Sequence, residues 1–164
     1  MSERIAVVGP REGADLEQIV RFLDKLFAYD PKTVLISGGA RGVDTTAETR
    51  WLQLGGEVYS YRVREIKVEP FQEYAVEEWH LGVEHPTIRQ VIEYPEFMDY
   101  VSALFARSML VCEKVDRVIA FYGDNPWKHH RGTEFTVEIA SNEANHIPTY
   151  IYRTGSDTPE VLCV

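Results

Sequence analysis

A glycine-rich loop, Ser37 to Asp44, contains the residue types that bind phosphate groups. It holds three glycines, a serine, an arginine and an aspartate between a short apolar run and a helix-like segment. Glycine lets the backbone approach a ligand closely, and the free amides at a helix start favour an anion. The loop therefore predicts phosphate binding, with a tight strand-to-helix turn as the alternative. Its candidate ligand-binding residues are Ser37, Gly38, Gly39, Ala40, Arg41, Gly42 and Asp44.

Asp44 is open to more than one interpretation. A carboxylate near a helix start can cap free backbone amides. In a ligand site it can instead accept a hydrogen bond from a ribose hydroxyl or act as a catalytic carboxylate. The sequence alone leaves these roles open.

A second loop has a similar layout. Arg131, Gly132 and Thr133 follow a predicted strand and open a predicted helix, so all three are candidate ligand-binding residues. Glu134 and Glu138 are four residues apart and therefore share one helix face. They are candidate catalytic carboxylates, and a solvated helix face is the alternative.

Three residues outside these loops complete the candidate site. Gly9 closes the first predicted strand, and Arg11 follows it at the sheet edge where ligands of α/β proteins bind. An ordinary surface position is the alternative for Arg11. Arg107 has apolar neighbours on a predicted helix, and a charge in such a place needs a partner. That partner is either the ligand or an internal carboxylate.

The composition excludes several classes of function. With 17 basic and 26 acidic residues the formal charge is −9, which argues against extended contact with nucleic acid. The sequence has no Walker A loop, no serine nucleophile elbow and no zinc-ligand spacing, so we expect no metal and no required cofactor. No apolar run is long enough to cross a membrane. Cys112 and Cys163 are expected to be free thiols in a reducing cytosol, which predicts a cytoplasmic protein without a membrane partner.

Strand and helix patterns alternate along most of the chain. Apolar runs predict strands, and apolar spacings of three and four predict helices. The predicted strands lie at residues 4–9, 33–36, 57–61, 117–121 and 147–152, and the predicted helices at 14–29, 43–54, 100–114 and 133–145. This alternation predicts an α/β fold, with a Rossmann-like, doubly wound, mainly parallel five-stranded sheet and helices on both faces. We expect one domain over residues 1–164.

Residues 62–99 interrupt the alternation and are expected to form an insertion. The segment Phe71 to Trp79 is its predicted helix. The tail from Thr154 is expected to be short and polar, then apolar at Val161 and Leu162. The aromatic and histidine side chains of the insertion either cover a planar base or form core. They are Tyr74, Trp79, His80, His85 and Tyr94. The insertion is also the candidate interface of a homo-oligomer.

Together these segments resemble the SLOG superfamily of Rossmann-like proteins, which includes the DprA/Smf proteins, the LOG enzymes and the YspA/YpsA-like group. The resemblance is carried by residues 5–11, 35–44, 106–110, 116–121 and 132–133. The two glycines, Ala-Arg-Gly and Asp of residues 38–44 look most like the YspA-like branch. The resemblance implies binding of a nucleotide or nucleotide-derived ligand, with the phosphate cradled by Gly38, Gly39, Gly42, Gly132 and Thr133.

Three hypotheses for function follow. The first is binding or sensing of a small, phosphorylated, nucleotide-like ligand. The second is LOG-like cleavage of the N-glycosidic bond of a nucleoside monophosphate, with Glu134, Glu138 or Asp44 as the carboxylate. The LOG pattern places a glutamate where this sequence has Thr136, so a different carboxylate would be needed. The third is an interaction protein with a vestigial pocket.

Overall fold

A computed structural model of the chain describes residues 2–67, 73–82, 91–93, 99–123 and 131–163. Its strands are β1 (Arg4–Val8), β2 (Val34–Ser37), β3 (Glu57–Lys67), β4 (Glu73–Leu81), β5 (Val91–Glu93), β6 (Arg117–Tyr122), β7 (Thr149–Arg153) and β8 (Glu160–Cys163). Its helices are α1 (Leu16–Tyr29), α2 (Val43–Leu54), α3 (Tyr100–Lys114) and α4 (Arg131–Ser141).

The described strands form one sheet in the order β5-β4-β3-β2-β1-β6-β7-β8. Five central strands, in the order β3-β2-β1-β6-β7, pair in parallel with their neighbours. The chain winds outward from β1 through β2 to β3, then returns to the other side of β1 to form β6 and β7. The order therefore reverses between β1 and β6. In doubly wound sheets, ligands bind at the carboxyl ends of the strands at this point.

Two helices cover each face of the sheet. One apolar cluster joins α1 and α2 to the sheet through residues such as Ile19, Leu23 and Trp51. The other joins α3 and α4 to the opposite face through Val111, Cys112 and Val137. The predicted α/β fold with helices on both faces of a mainly parallel sheet is confirmed, and the arrangement is Rossmann-like.

The predicted insertion helix is wrong. Within the described part of Phe71 to Trp79, the chain is the strand β4, which pairs antiparallel with β3 along nearly its whole length. β3 itself continues past its predicted end at Tyr61 to Lys67. Ala75 and Val76 are buried, and the hairpin satisfies the backbone groups of both strands. This long-range pairing outweighed the local helical pattern.

The sheet is also larger than the predicted five strands. Eight described strands belong to it, because β4, β5 and β8 add antiparallel strands outside the parallel core. The apolar end of the tail, at Val161 and Leu162, lies in β8, which pairs with β7 and was not predicted as a strand. His85 and Tyr94 lie outside the described residues. Among the helices that the structure describes, each is too short or too polar to cross a bilayer.

Candidate functional site

A pocket of about 420 Å³ opens at the carboxyl ends of the central strands. Val8 and Gly9 at the end of β1 form its floor, and the loop after β2 forms one side. Residues of α3 and the first turn of α4 form the other sides. The pocket thus lies where the strand order reverses, the place that the fold predicts for a ligand.

The pocket brings together eight of the residues selected from the sequence. Gly9, Gly38, Ala40 and Gly132 line it from three chain segments, the end of β1, the loop after β2 and the start of α4. Among these eight, the side chains able to contact a polar ligand are those of Arg11, Asp44, Arg107 and Thr133. The loops around positions 38 and 132 are distant in sequence and share one cavity. Their ligand-binding roles stay predictions.

Arg107 and Asp44 both approach Gly38. A Cβ atom added at Gly38 would lie 2.9 Å from Asp44 Oδ2 and 3.3 Å from Arg107 Nε. Position 38 therefore needs glycine because the carboxylate and the guanidinium occupy the space of a side chain. Asp44 is buried, and Arg107 is half-buried in the pocket wall. Asp44 is thus a nearby carboxylate whose charge acts on Arg107, and Arg107 also lines the pocket.

Burial dominates the electrostatics of this pair. It raises the pKa of Asp44 to about 7, and the nearby Glu48 charge acts in the same direction. The Arg107 charge and the backbone amides of Ala40 and Gly38 oppose this rise. Burial and the charge of Arg11 lower the pKa of Arg107, although the Asp44 charge opposes them. The site holds a carboxyl group able to gain or lose a proton near neutral pH.

The amides of the glycine loop already donate to side chains of the loop itself. The Gly39 amide donates to Ser37 Oγ at 3.0 Å, and the Ala40 amide donates to Asp44 Oδ2 at 3.3 Å. Asp44 does not serve as the N-cap of α2, which is Gly42. Asp44 therefore holds the loop in shape from inside. An incoming anion would find its donors chiefly at Arg107, Arg11 and the start of α4.

Arg62 packs closely against Gly39. A Cβ atom at Gly39 would lie 2.8 Å from Arg62 Cγ. The Arg62 guanidinium donates to Ser60 Oγ at 3.1 Å and lies 3.6 Å from the buried Glu48 carboxylate. It also stacks over the Trp79 ring at 4.6 Å from the ring centroid. Arg62 is thus a fixed support for the loop, and Trp79 contributes to this support.

Several predicted residues lie away from the pocket. Arg41 is exposed and pairs with Glu12 at 3.1 Å, and Ser37 is buried under the loop. Glu134 and Glu138 are exposed on α4 and do not line the pocket that the described residues form. The side chain of Arg131 lies outside the described residues.

The sequence analysis missed the contribution of α3 beyond Arg107. Tyr100, Val101, Leu104 and Phe105 form an apolar wall, and Ser108 adds a hydroxyl beside Arg107. Helical spacing contained a signal for two of these, since Leu104 is three residues before Arg107 and Ser108 is four residues after Leu104. Thr136 on α4 lines the pocket as well.

Comparison with known proteins found one matching family model. Residues 3–51 match the family described as "YAcAr: YspA, cpYpsA-related SLOG family". The chain therefore carries a segment of the YspA/cpYpsA-related SLOG family. The resemblance inferred from the sequence is confirmed for this segment, which includes β1, the glycine loop and most of α2. The search of curated proteins found no match to this chain.

Two solved structures share the fold of this chain. The first is DNA processing protein A from Helicobacter pylori, described for its single-stranded DNA binding mode. It superposes with a TM-score of 0.63 at 18% sequence identity. The superposition covers 95% of this chain and 68% of that one. DNA processing protein A (DprA) from Streptococcus pneumoniae superposes with a TM-score of 0.59 at 17% identity, covering 95% of this chain. This chain spans about half of the second structure, 52% of its length. At these identities the likeness shows the fold alone.

Proposed function

We propose that the pocket binds a nucleotide or nucleotide-derived ligand, with its phosphate beside Arg107 and the first turn of α4. One observation carries the proposal. Arg107, Arg11 and the start of α4 line one cavity, at the edge of the sheet where the strand order reverses. Guanidinium groups and helix N-termini are the usual partners of phosphate in proteins. The SLOG segment supports the same class of ligand.

The charges of the pocket favour a small anion. Two arginines, Arg11 and Arg107, face one carboxyl group, Asp44, among the lining residues. With Asp44 protonated the lining carries two positive charges, and with Asp44 ionised it carries one. Extended nucleic acid is a poorer match, because the chain as a whole carries a formal charge of −9. A homo-oligomer and the interaction-protein hypothesis stay predictions.

Replacing Arg107 by glutamine is expected to weaken ligand binding by roughly 30-fold or more, because a charge-assisted contact to phosphate is worth about 2 kcal/mol. Calorimetry with nucleoside monophosphates and ADP-ribose at pH 7 measures the change. Arg41→Gln is the matched control, since Arg41 is exposed and pairs with Glu12 outside the pocket.

A folding defect must be separated from a binding defect in this experiment, because Arg107→Gln leaves Asp44 without its cation. Arg107→Lys keeps the charge and loses the two-pronged guanidinium geometry. We expect an intermediate affinity for it, with thermal unfolding close to that of the parent. Equal affinity of the parent and both Arg107 variants would refute the proposed phosphate position.

Asp44 supports a second candidate function, cleavage of the N-glycosidic bond of a nucleoside monophosphate. A carboxyl group with its pKa raised to about 7 can serve as a general acid or base at neutral pH. Asp44 also lines the pocket, whereas Glu134 and Glu138 do not. If the protein has this activity, Asp44 is the carboxylate that the geometry favours.

Under this second function, Asp44→Asn is expected to lower release of free base by at least about 100-fold, the usual contribution of a general acid or base. Chromatography of nucleoside monophosphates incubated with the protein measures the release. Glu138→Gln is the control and should retain the parent rate. Release that depends on Glu138 and not on Asp44 would exclude the assignment.

A further inference from the structure

A second buried carboxyl group lies one helical turn beyond Asp44. Glu48 follows Asp44 by four residues on α2, which places both side chains on one face of the helix with their Cβ atoms roughly 5–6 Å apart. Asp44 is 6% exposed and Glu48 is 5% exposed. Asp44 lines the pocket formed by the described residues, whereas Glu48 does not. The helix therefore holds one carboxyl group at the pocket and a second one turn further along.

The charge of Glu48 is only partly balanced by its neighbours. Its Oε1 atom is buried and accepts no hydrogen bond from the part of the chain that the structure describes. Nη2 of Arg62 lies 3.6 Å from this atom, which is longer than a charge-assisted hydrogen bond of about 2.7–2.9 Å. Inside a protein, charges are screened less than in water. Glu48 therefore acts on the groups around it, Asp44 among them.

Charged and titratable groups from four parts of the fold surround Asp44. They are Arg11 after β1, Glu48 on α2, Arg62 on β3, and Tyr100 and Arg107 on α3. The Glu48 charge favours the protonated form of Asp44, and the Arg107 charge favours the ionised form. The described side chains that α4 adds to the lining are uncharged. α1 meets α2 further along the helix, where Asp24 pairs with Arg50.

An anion beside Arg107 would change the balance at Asp44. Its negative charge competes with Asp44 for the guanidinium and acts on the carboxyl group in the same direction as Glu48. Before binding, the pKa of Asp44 is already raised to about 7. A further like charge therefore transfers a proton from solvent to an oxygen of Asp44, and no other bond forms or breaks. The lining then carries the two positive charges of its arginines.

We propose that Glu48 is a positioning residue of the site, which acts through Asp44 and couples the binding of an anion to the uptake of a proton from solvent. This inference rests on the proposed function and adds a regulation of the same pocket. Anions bind more tightly at low pH, because Asp44 then carries the proton before the anion arrives. Glu48 sets the pH at which the affinity changes, although it does not line the pocket.

The first measurement is the affinity of the parent protein for sulfate and ADP-ribose, whose charges stay constant near neutral pH. Between about pH 5.5 and pH 8.5 we expect the affinity to fall roughly 5- to 10-fold, which corresponds to a shift of about one pKa unit at Asp44 on binding. Asp44→Asn should lack this fall, because asparagine resembles the protonated carboxyl group at every pH. AMP is a third probe, and its own ionisation near pH 6 cancels in the ratio of parent to Asp44→Asn affinity.

Glu48→Gln tests the role of Glu48 itself. Without this charge Asp44 becomes a stronger acid, so the fall in affinity should move to lower pH by about half a unit or more. Glu48→Met removes the same charge with an apolar side chain of similar length and should give the same displacement. Glu138→Gln is the matched control, because it removes a negative charge from the exposed surface of α4, outside the pocket lining. It should leave the midpoint of the fall unchanged.

Proton uptake can also be counted on the parent protein, without any variant. Calorimetry of ADP-ribose or sulfate binding at pH 7, in buffers with different ionisation enthalpies, gives the number of protons taken up per bound anion. About 0.4 proton is expected, because a group that is about half protonated before binding becomes about nine-tenths protonated after it. This count does not depend on the folding of a substituted chain.

The outcomes separate this inference from the proposed function. If the parent binds an anion with an affinity that is independent of pH, or without proton uptake, only this inference fails. It also fails if both Glu48 variants leave the midpoint in place, or if Glu138→Gln displaces it as far as they do. If none of sulfate, ADP-ribose and AMP binds the parent protein at any pH, the proposed function fails and the inference with it.

Discussion

Gly42→Ala is expected to destabilise the protein by about 3 kcal/mol or more, because backbone strain and steric overlap act together. Gly42 has φ +94° and ψ −120°, a conformation that a residue with a side chain rarely adopts. A Cβ atom there would lie 2.5 Å from the Arg11 carbonyl oxygen and 2.6 Å from the Pro10 carbonyl oxygen. Both are backbone atoms, so relief requires movement of the chain after β1. Unfolding in urea or guanidinium chloride measures the loss.

Gly132→Ala is the matched control for this substitution. Gly132 lies in the first turn of α4, and a Cβ atom there meets nothing within 4 Å among the described residues. Alanine should leave stability unchanged or raise it by up to about 1 kcal/mol, since it favours the helical conformation. Equal unfolding midpoints for Gly42→Ala and the parent would show that the loop relaxes without cost.

Asp44 is expected to make the protein less stable as the pH rises from about 4 to about 7. The pKa of Asp44 is raised from 3.8 to about 7 in the folded protein. The folded state therefore binds more protons than the unfolded chain within this window, and the free energy of unfolding falls with increasing pH. Below the window Asp44 is protonated in both states. Above it, the buried charge imposes its full cost.

Asp44→Asn isolates this contribution from the other titrating groups. Asparagine resembles the protonated acid and can still accept the Ala40 amide. The measured quantity is the free energy of unfolding of the variant minus that of the parent. This difference is expected to become more positive by roughly 2–4 kcal/mol between pH 4 and pH 8, because the parent loses stability in this range. Denaturant unfolding at several pH values measures it. A difference that stays constant with pH would mean that Asp44 remains ionised throughout.

Asp24→Asn provides a control of opposite sign. Its hydrogen bond to Arg50 is the main cause of a lowered pKa. Asp24 therefore stabilises the folded state above its unfolded pKa, and this contribution is lost as the pH falls through the folded pKa. The effect should be small because both side chains are partly exposed. The two variants should thus depend on pH in opposite directions.

Local sequence patterns were sufficient to predict the parallel strands of the sheet and the helices between them. The bounds of α2 and α3 match their predictions, because helical periodicity and a terminal glycine, Gly55, are properties of neighbouring residues. The hairpin of β3 and β4 could not be predicted in this way. Each of its strands is stabilised by pairing with the other, and Phe71 to Trp79 read alone contains no information on that partner.

The same distinction holds for the site. Glycine spacing and the position after a strand located the loops around Gly38 and Gly132, because these depend on backbone conformation and on helix starts. The sequence could not decide whether Asp44 caps a helix, and the structure shows that it accepts the Ala40 amide from within the loop. Nor could the sequence decide which of Asp44, Glu134 and Glu138 lines the pocket. The structure places Asp44 there and the two glutamates on the exposed surface of α4.

The order of residue types along this chain was enough to specify a doubly wound sheet and the loops at its carboxyl edge. Only the folded arrangement assigns Asp44 to the pocket beside Arg107 and gives the cavity an apolar wall on α3. The physical reason is the separation along the sequence over which each effect acts. Helix and strand periodicity act over a few neighbouring residues, whereas burial and charge pairing depend on segments that approach each other only when the sheet has assembled.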